Sequence, residues 1–294
     1  MDGCPSRVFA EMPDPARENL ADIVAARAKS YDHHYRTAGW RAERWTRERI
    51  ESFLAYAVDV DEGGNLNGNE IQYGLTALGV QAGRGLRVLD YCCGTGITAI
   101  YLALCGAQVW AFDASAEAID IAVRSAEISG VSERTHFCVS DAQSLPYEAD
   151  FFDAAFCQSA LHIVIDYPDC PRELSRVLKP GGRVAFCEEG LGYNPLLRPI
   201  RALRRRKYVR CGGRPLKYPD IERFGLPFSQ THIQHFNLLT QVKTAFRGQL
   251  DRCGGLRPWT KRLLHATERI DHLVLSAVPC LQRYCGAVAV VYTK

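Results

Sequence analysis

The sequence predicts an α/β fold: a Rossmann-like sheet with helices on both faces. Three observations predict it. Short apolar runs that read as strands covered on both faces alternate with segments of helical periodicity. The first of these runs passes through Gly94-x-Gly96-x-x-Ala99 directly into a helix. Acidic residues follow the first three strands in turn: Asp90, Asp113 and Asp141.

Leu86, Val88 and Leu89 make the first strand. Gly94 and Gly96 then allow a sharp turn and let a ligand approach backbone that a side chain would cover. Ile97, Ile100, Tyr101 and Leu104 recur at helical spacing, and Gly106 stops that helix. Such a unit leaves backbone N–H groups at the mouth of a crevice, where open α/β sheets bind ligands. The same glycines fit the looser dinucleotide fingerprint, so Asp90 decides between cofactors. A carboxylate at the end of the first strand repels a pyrophosphate and attracts a cation. S-adenosylmethionine carries two cationic groups, a sulfonium and an ammonium.

The bulk numbers set the frame. At 294 residues, with 47% apolar and 23% charged, the chain has material for one large domain with a sizeable core. A net charge of +3 does not describe a polyanion binder. The twelve cysteines are scattered, without CxxC pairs or zinc spacing, so they read as free thiols of a reducing compartment and no metal site is expected. Asp2, Glu11 and Asp14 interrupt any leader-like apolar core, and no run of about 18 apolar residues appears. The expectation is a cytoplasmic enzyme.

Four regions are expected: a helical lid region (1–80), a cofactor-binding core (81–190), a basic cap (191–230) and the strands and helix that complete the sheet (231–294). The first region divides into a helix over Pro13–Ser30 and a second from about Tyr31 to Tyr56, then an acidic, glycine-rich turn (Asp59–Asn69) and a short helix, Ile71–Leu78. In the core, Gln108–Phe112 is a buried strand ending at Asp113, which lies 23 residues after Asp90 with Ala114 beside it. An acid there accepts hydrogen bonds from both ribose hydroxyls of a nucleoside; alternatively it is a carboxylate at a helix N-terminus, although Ser115 already supplies a cap. A helix over Ala116–Ser129, a strand over Thr135–Val139, a strand ending at Cys157-Gln158-Ser159, a helix over Glu173–Leu178 and a strand over Val184–Cys187 follow. The last region holds a strand over Thr231–Phe236, with His232 and His235 read as sharing one side of it. A helix over Trp259–Ala277 then presents Leu263, Leu264, Ile270, Leu273 and Val274 on its apolar face. A last strand covers Ala287–Tyr292.

The run Asp90-x-Cys92-x-Gly94-x-Gly96 resembles the first motif of the class I S-adenosylmethionine-dependent methyltransferases, with Cys92 where that family has its first glycine. Cysteine is small and is expected to give a slightly tighter turn. Four further stretches resemble the family in order: Tyr31-Asp32, Ser140-Asp141-Ala142, the fourth strand into Leu161-His162, and Leu178-Lys179-Pro180-Gly181-Gly182. The resemblance covers about Tyr31 to Glu189 and implies S-adenosyl-L-methionine as cofactor, on a Rossmann-like seven-stranded mixed sheet with helices on both faces, an N-terminal helical lid, a cap insertion after the fifth strand, and Ala287–Tyr292 antiparallel between the fifth and sixth strands. It implies a lid carrying Tyr31, a loop of Cys92, Gly94, Thr95 and Gly96 around the cofactor, Asp141 and Ala142 at the adenine, and the Gln158 backbone at the methionine part. His162 falls where the family often has a histidine near the transferred methyl; a core histidine is the other reading.

The reaction this implies is transfer of a methyl group to a small-molecule, sugar or lipid-like acceptor, with His162, Glu188, Glu189, His232 and His235 as candidate bases. Gln158-Ser159-Ala160-Leu161 stands where amino-methylating enzymes of DNA carry Asn-Pro-Pro-Tyr, so nucleic acid is not the expected partner. Residues 198–217 hold nine Arg and Lys and no acid, which leaves the rest of the chain net acidic. That segment reads as a solvated basic helix, a dock for an acidic acceptor, or a contact with an anionic membrane surface. Two rival functions remain: an NAD(P)-dependent oxidoreductase using the same glycine loop, and a non-catalytic cofactor-binding or membrane-surface protein. The first leaves Asp90 and Asp141 without a use.

Overall fold

The computed structural model describes residues 20–57, 59–60, 65–80, 85–195, 214–246, 253 and 255–294. Seven strands form one sheet: β1 (Arg87–Tyr91), β2 (Gln108–Asp113), β3 (Thr135–Val139), β4 (Phe152–Gln158), β5 (Leu178–Glu189), β6 (Gln230–Phe236) and β7 (Ala287–Thr293), in the order β3-β2-β1-β4-β5-β7-β6. The first five are parallel, and β7 runs antiparallel to both β5 and β6. This is the mixed sheet the sequence predicts, with the last strand inserted where expected. The winding reverses between β1 and β4, so a crevice opens beyond the carboxyl ends of those two strands.

The helices are α1 (Leu20–Thr37), α2 (Arg47–Leu54), α3 (Gly68–Leu78), α4 (Ile97–Leu104), α5 (Ala116–Ile128), α6 (Leu161–Val164), α7 (Cys170–Val177), α8 (Tyr218–Phe224) and α9 (Pro258–Ala277). Alternation along each strand divides the core into two layers. Val88, Val109, Phe156 and Ala185 face Ile50, Leu54, Ile71, Leu75 and Ile100 of α2, α3 and α4. Leu89, Tyr91, Phe112 and Phe186 face Leu161, Leu174 and Ile221 of α6, α7 and α8. Asp90 shares the face of Val88 and is only 2% exposed, so a carboxylate sits at the inner end of an otherwise apolar row.

Several boundaries differ from the sequence reading. Tyr31 does not start a second helix: it lies inside α1, and the break falls over residues 38–46, before the Thr46 side chain caps α2 by accepting from Arg49 N–H. Residues 13–19 of the expected first helix lie outside the described residues, as does 198–213 of the basic segment. The Lys179–Gly182 turn does not separate helix from strand. Leu178 already pairs with Phe152, and the register then jumps to Arg183 opposite Ala154, so the turn bulges out of β5. His232 and His235 do not share a side. Three residues apart in a strand means opposite faces: His232 stacks on Tyr73 at 6.4 Å, and His235 Nε2 lies 3.0 Å from the Tyr218 hydroxyl on the other layer. The apolar residues of α9 do not form one buried face: Leu264 is buried, while Leu263, Ile270 and Leu273 are exposed.

A buried polar lock ties α3 to the β6 end of the sheet. Glu70 Oε1 accepts from Asn237 Nδ2 at 2.5 Å and from Lys243 Nζ at 3.2 Å, with both charged side chains almost fully buried. Removing one member of such a pair strands the other charge in low dielectric. Lys243→Met is therefore expected to destabilise the protein by about 3–5 kcal/mol, and Glu70→Gln added to it to recover part of that loss. Chemical denaturation of the single and double variants checks this.

Candidate functional site

The crevice beyond β1 and β4 is a cavity of about 360 Å³. Its floor is built from strand ends: Asp90 and the Cys92–Thr95 loop after β1, Asp113 and Ala114 after β2, Ser140–Ala142 after β3, and Gln158–Ala160 after β4. Ten of the residues marked from sequence thus meet at one place: Tyr31, Asp90, Cys92, Gly94, Thr95, Asp113, Ala114, Asp141, Ala142 and Gln158. Gly96 does not line the cavity. It caps α4 at φ 75°, and a Cβ there would lie 2.8 Å from Ala122 Cβ and 2.9 Å from the Phe137 ring. Its glycine is required for packing of the turn onto α5 rather than for ligand approach. Gly96→Ala combines a left-handed backbone with that overlap, and its thermal midpoint is expected to drop by an amount corresponding to about 2–4 kcal/mol.

His162 does not line the cavity either; its neighbours Ile163 and Val164 do. Nor do His232 and His235, which the sheet places elsewhere, and the side chains of Glu188 and Glu189 lie outside the described residues. His34 is the cavity-lining histidine among the described residues.

The loop after β1 is strained where the sequence departs from glycine. Cys92 adopts φ 58°, the left-handed conformation that a glycine takes freely, followed by Gly94 at φ 52°. The cysteine is accommodated without displacing the turn, since Cys93 N–H still reaches Phe112 O at 2.9 Å and Gly96 N–H reaches Cys93 O at 3.0 Å. Burial pushes the Cys92 and Cys93 thiols well up, which keeps them neutral.

Two carboxylates dominate the electrostatics. Asp113 fixes the loop: its Oδ2 accepts from Gly94 N–H and its Oδ1 from Ser115 N–H, both at 2.9 Å. Burial raises its pKa, and these backbone donors oppose the rise. Two of its roughly four lone-pair directions remain for a ligand. Asp90 is different. Burial pushes its pKa up to about 7, against the Ala99 backbone donor and with a smaller push from the Asp113 charge. Its Oδ2 is buried without a hydrogen-bond partner. Asp90 lines the cavity floor, and a buried carboxylate in that position suits a cationic donor.

The roof is α1. Arg27 donates to the Tyr167 hydroxyl at 2.7 Å on the β4 side, while Asp32 Oδ1 accepts from Ser115 Oγ at 2.6 Å and Glu117 N–H at 3.1 Å on the β2 side. The helix is thus tied across the mouth, with Asp32 capping α5 from outside. Val24, Arg27, Ala28, Tyr31, His34 and Tyr35 form its cavity face. Tyr35 packs edge-on against Trp40 at 6.0 Å, and its hydroxyl would be 3.0 Å from a Cβ at Gly94, so the loop needs glycine there. Sequence reasoning missed Arg27 and Tyr167, and it placed Tyr35, Trp40 and Phe53 on the expected lid helix without singling them out as site residues. The signal for the α1 members was present: Tyr31 at spacings of three and four marks the same helix face.

Comparison with known proteins agrees with this geometry. Residues 89–186 match the family described as a methyltransferase domain. A demethylmenaquinone methyltransferase of Clavibacter sepedonicus is 39% identical over 114 residues, 39% of this chain and 45% of that protein. A 2-phytyl-1,4-naphtoquinone methyltransferase of Synechococcus elongatus is 41% identical over 117 residues, 39% of this chain and 50% of that protein. The chain thus spans about half the length of these curated relatives. Among solved structures, phosphoethanolamine N-methyltransferase 2 of Haemonchus contortus, in complex with phosphomonomethylethanolamine and S-adenosylhomocysteine, superposes with a TM-score of 0.55 at 17% identity, over 90% of this chain and 59% of that one. The [4+2]-cyclase SpnF superposes equally well, 0.55 at 20% identity over 92% and 96% of the two chains, which establishes the fold and leaves the reaction to the site. The strand order and the acid-led glycine loop thus agree with the match of residues 89–186 to a methyltransferase domain.

Proposed function

We propose that this protein transfers a methyl group from S-adenosylmethionine to a small, lipophilic, ring-bearing acceptor. The observation that carries the cofactor is the Asp90 carboxyl, which lines the cavity floor, is buried, and keeps one oxygen without a hydrogen-bond partner. It meets the need of an ammonium and opposes a pyrophosphate, which disfavours the nicotinamide reading. When bound, the cofactor supplies an electrophilic methyl on a sulfonium. Asp90 would hold its ammonium, Asp113 its ribose hydroxyls, Asp141 and the Ala142 backbone its adenine, and the Gln158 backbone its methionine part. The hold of Gln143 N–H on Asp141 Oδ1 at 3.1 Å supports that placement.

The acceptor class follows from the remaining wall. Trp40, Phe53, Leu54, Ile163 and Val164 make it apolar, and the Arg27–Tyr167 pair puts one polar contact within it. A flat ring with an oxygen substituent fits such a wall better than a sugar does. The naphthoquinone and menaquinone substrates in the names of the two relatives support this reading. Positioning and exclusion of water under α1 would supply much of the rate, with His34 as the candidate proton acceptor among the described lining residues.

The test is calorimetric titration with S-adenosylhomocysteine and, in parallel, NADH, followed by methyl-transfer assays on reduced naphthoquinones and on sugars. Saturable S-adenosylhomocysteine binding with transfer to the reduced quinone supports the reading. NADH binding in its place overturns the cofactor, and transfer to the sugars alone overturns the acceptor class.

A further inference from the structure

We infer that α9 seats this protein on an anionic lipid surface. Trp259, Leu263, Ala266, Ile270, Leu273 and Ala277 follow one another at alternating spacings of four and three, which gathers them into one stripe along the helix. The stripe is not covered: Trp259 is 54% exposed, Leu263 40%, Ile270 45% and Leu273 66%. The helix buries a different sector, Thr260, Leu264 and Asp271, against the body of the protein. At about 100° per residue the apolar stripe comes next around the helix, and Arg262 and Arg269 come after it on the solvent side.

Charge selects the occupant. Both acids of α9 are turned inward: Glu268 accepts from Asn69 Nδ2 at 2.7 Å, and Asp271 accepts from Leu239 N–H at 2.7 Å and Thr240 N–H at 3.0 Å. The exposed rim of the stripe therefore carries Arg262 and Arg269 with no acid of the same helix beside them. A second copy of this chain docking by twofold symmetry would bring these arginine rows together without a compensating carboxylate. An anionic bilayer surface satisfies both features at once: acyl chains take the apolar stripe, with Trp259 at the interface, and lipid headgroups take the arginines. No helix among the described residues is long and apolar enough to cross a membrane, so the contact is one of lying on the surface.

The placement also suits a membrane-borne acceptor. Leu264 packs with Tyr56 and Ala57, which directly follow α2, and α2 brings Phe53 and Leu54 to the cavity wall. The surface contact itself does not depend on which acceptor the cavity takes.

The test is flotation of the full chain with phosphatidylglycerol–phosphatidylcholine vesicles and with phosphatidylcholine vesicles alone, with sedimentation velocity on the same samples. Three proteins are compared: the natural chain, Ile270→Glu/Leu273→Glu, and Arg262→Glu/Arg269→Glu. All four positions are exposed and outside the cavity, so each variant is checked for unchanged S-adenosylhomocysteine affinity; this separates failure of the surface from failure of the cofactor site. The natural chain is expected to float with the anionic vesicles and to partition about tenfold less in either variant, and about tenfold less at 1 M salt, where the screening length is about 3 Å. Partition that is equal for neutral and anionic vesicles, unchanged in both variants, or absent throughout overturns the inference. So does a concentration-dependent dimer that the Ile270→Glu/Leu273→Glu variant abolishes, because the stripe is then covered by a second copy.

Discussion

Asp113→Ala is expected to weaken S-adenosylhomocysteine binding by a factor of about 100–1,000 and to loosen the loop after β1. The carboxylate does two things at once. Its oxygens hold Gly94 N–H and Ser115 N–H, which fixes the turn against the start of α5. Its remaining lone pairs are the acceptors available to a ribose on that side of the cavity. A hydrogen bond to a charged group contributes about 1.5–3 kcal/mol, so losing two removes about 3–4 kcal/mol of binding after partial replacement by water. The buried N–H groups left behind cost stability as well, about 1–3 kcal/mol each where water does not reach them. Asp113→Asn separates the two roles. One amide oxygen can keep one of the backbone donors, so the thermal midpoint should recover more than the affinity does. Calorimetric titration and thermal unfolding of the two variants give both quantities. A loss of affinity below about fivefold in Asp113→Ala would mean the carboxylate serves the loop alone.

The same residue illustrates what could be read without coordinates. Asp90, Asp113 and Asp141 were legible because each stands at or just past the carboxyl end of a strand whose type, a short apolar run, depends on local pattern alone. Parallel order then sends all three to one edge of the sheet. The antiparallel place of β7 was legible from the resemblance. What escaped was set by rotation and by contact across the chain. His162 sits in the first turn of α6, where one position decides whether a side chain meets the cavity, and its neighbours Ile163 and Val164 meet it instead. Arg27 and Tyr167 are 140 residues apart and meet only because α1 crosses the mouth. Gly96 looked like a ligand-contacting glycine, yet its constraint comes from Ala122 and Phe137, which no local pattern connects to it. Leu263, Ile270 and Leu273 of α9 were read as part of an apolar face; their exposure was not, because periodicity reports an apolar sector and cannot say what covers it.

Cofactor affinity is expected to rise as pH increases through about 7, and Asp90→Asn to remove that dependence. Burial holds the Asp90 carboxyl at about 7 against an ordinary 3.8, so near neutrality the free protein is a mixture of neutral and ionised forms. The group's own linkage runs against stability. A carboxyl whose folded pKa is raised keeps its proton in the folded state after the unfolded chain has lost it. Its penalty is therefore absent below the unfolded pKa, grows between about 4 and about 7, and is fully present above. The full penalty is at most about 4 kcal/mol. An ammonium placed against the partnerless Oδ2 favours the ionised form and lowers the carboxyl's pKa, so binding just below pH 7 should release a fraction of a proton. Calorimetry in two buffers of different ionisation enthalpy measures that release. Asp90→Asn is expected to release none, to unfold at a higher temperature above pH 7, and to bind S-adenosylhomocysteine about 10–100-fold more weakly there. A stabilised variant with weakened binding is the mark of a residue kept charged for its ligand. If Asp90→Asn binds as tightly as the natural chain, the buried carboxylate does not hold the cation, and the reading of the cavity floor fails with it.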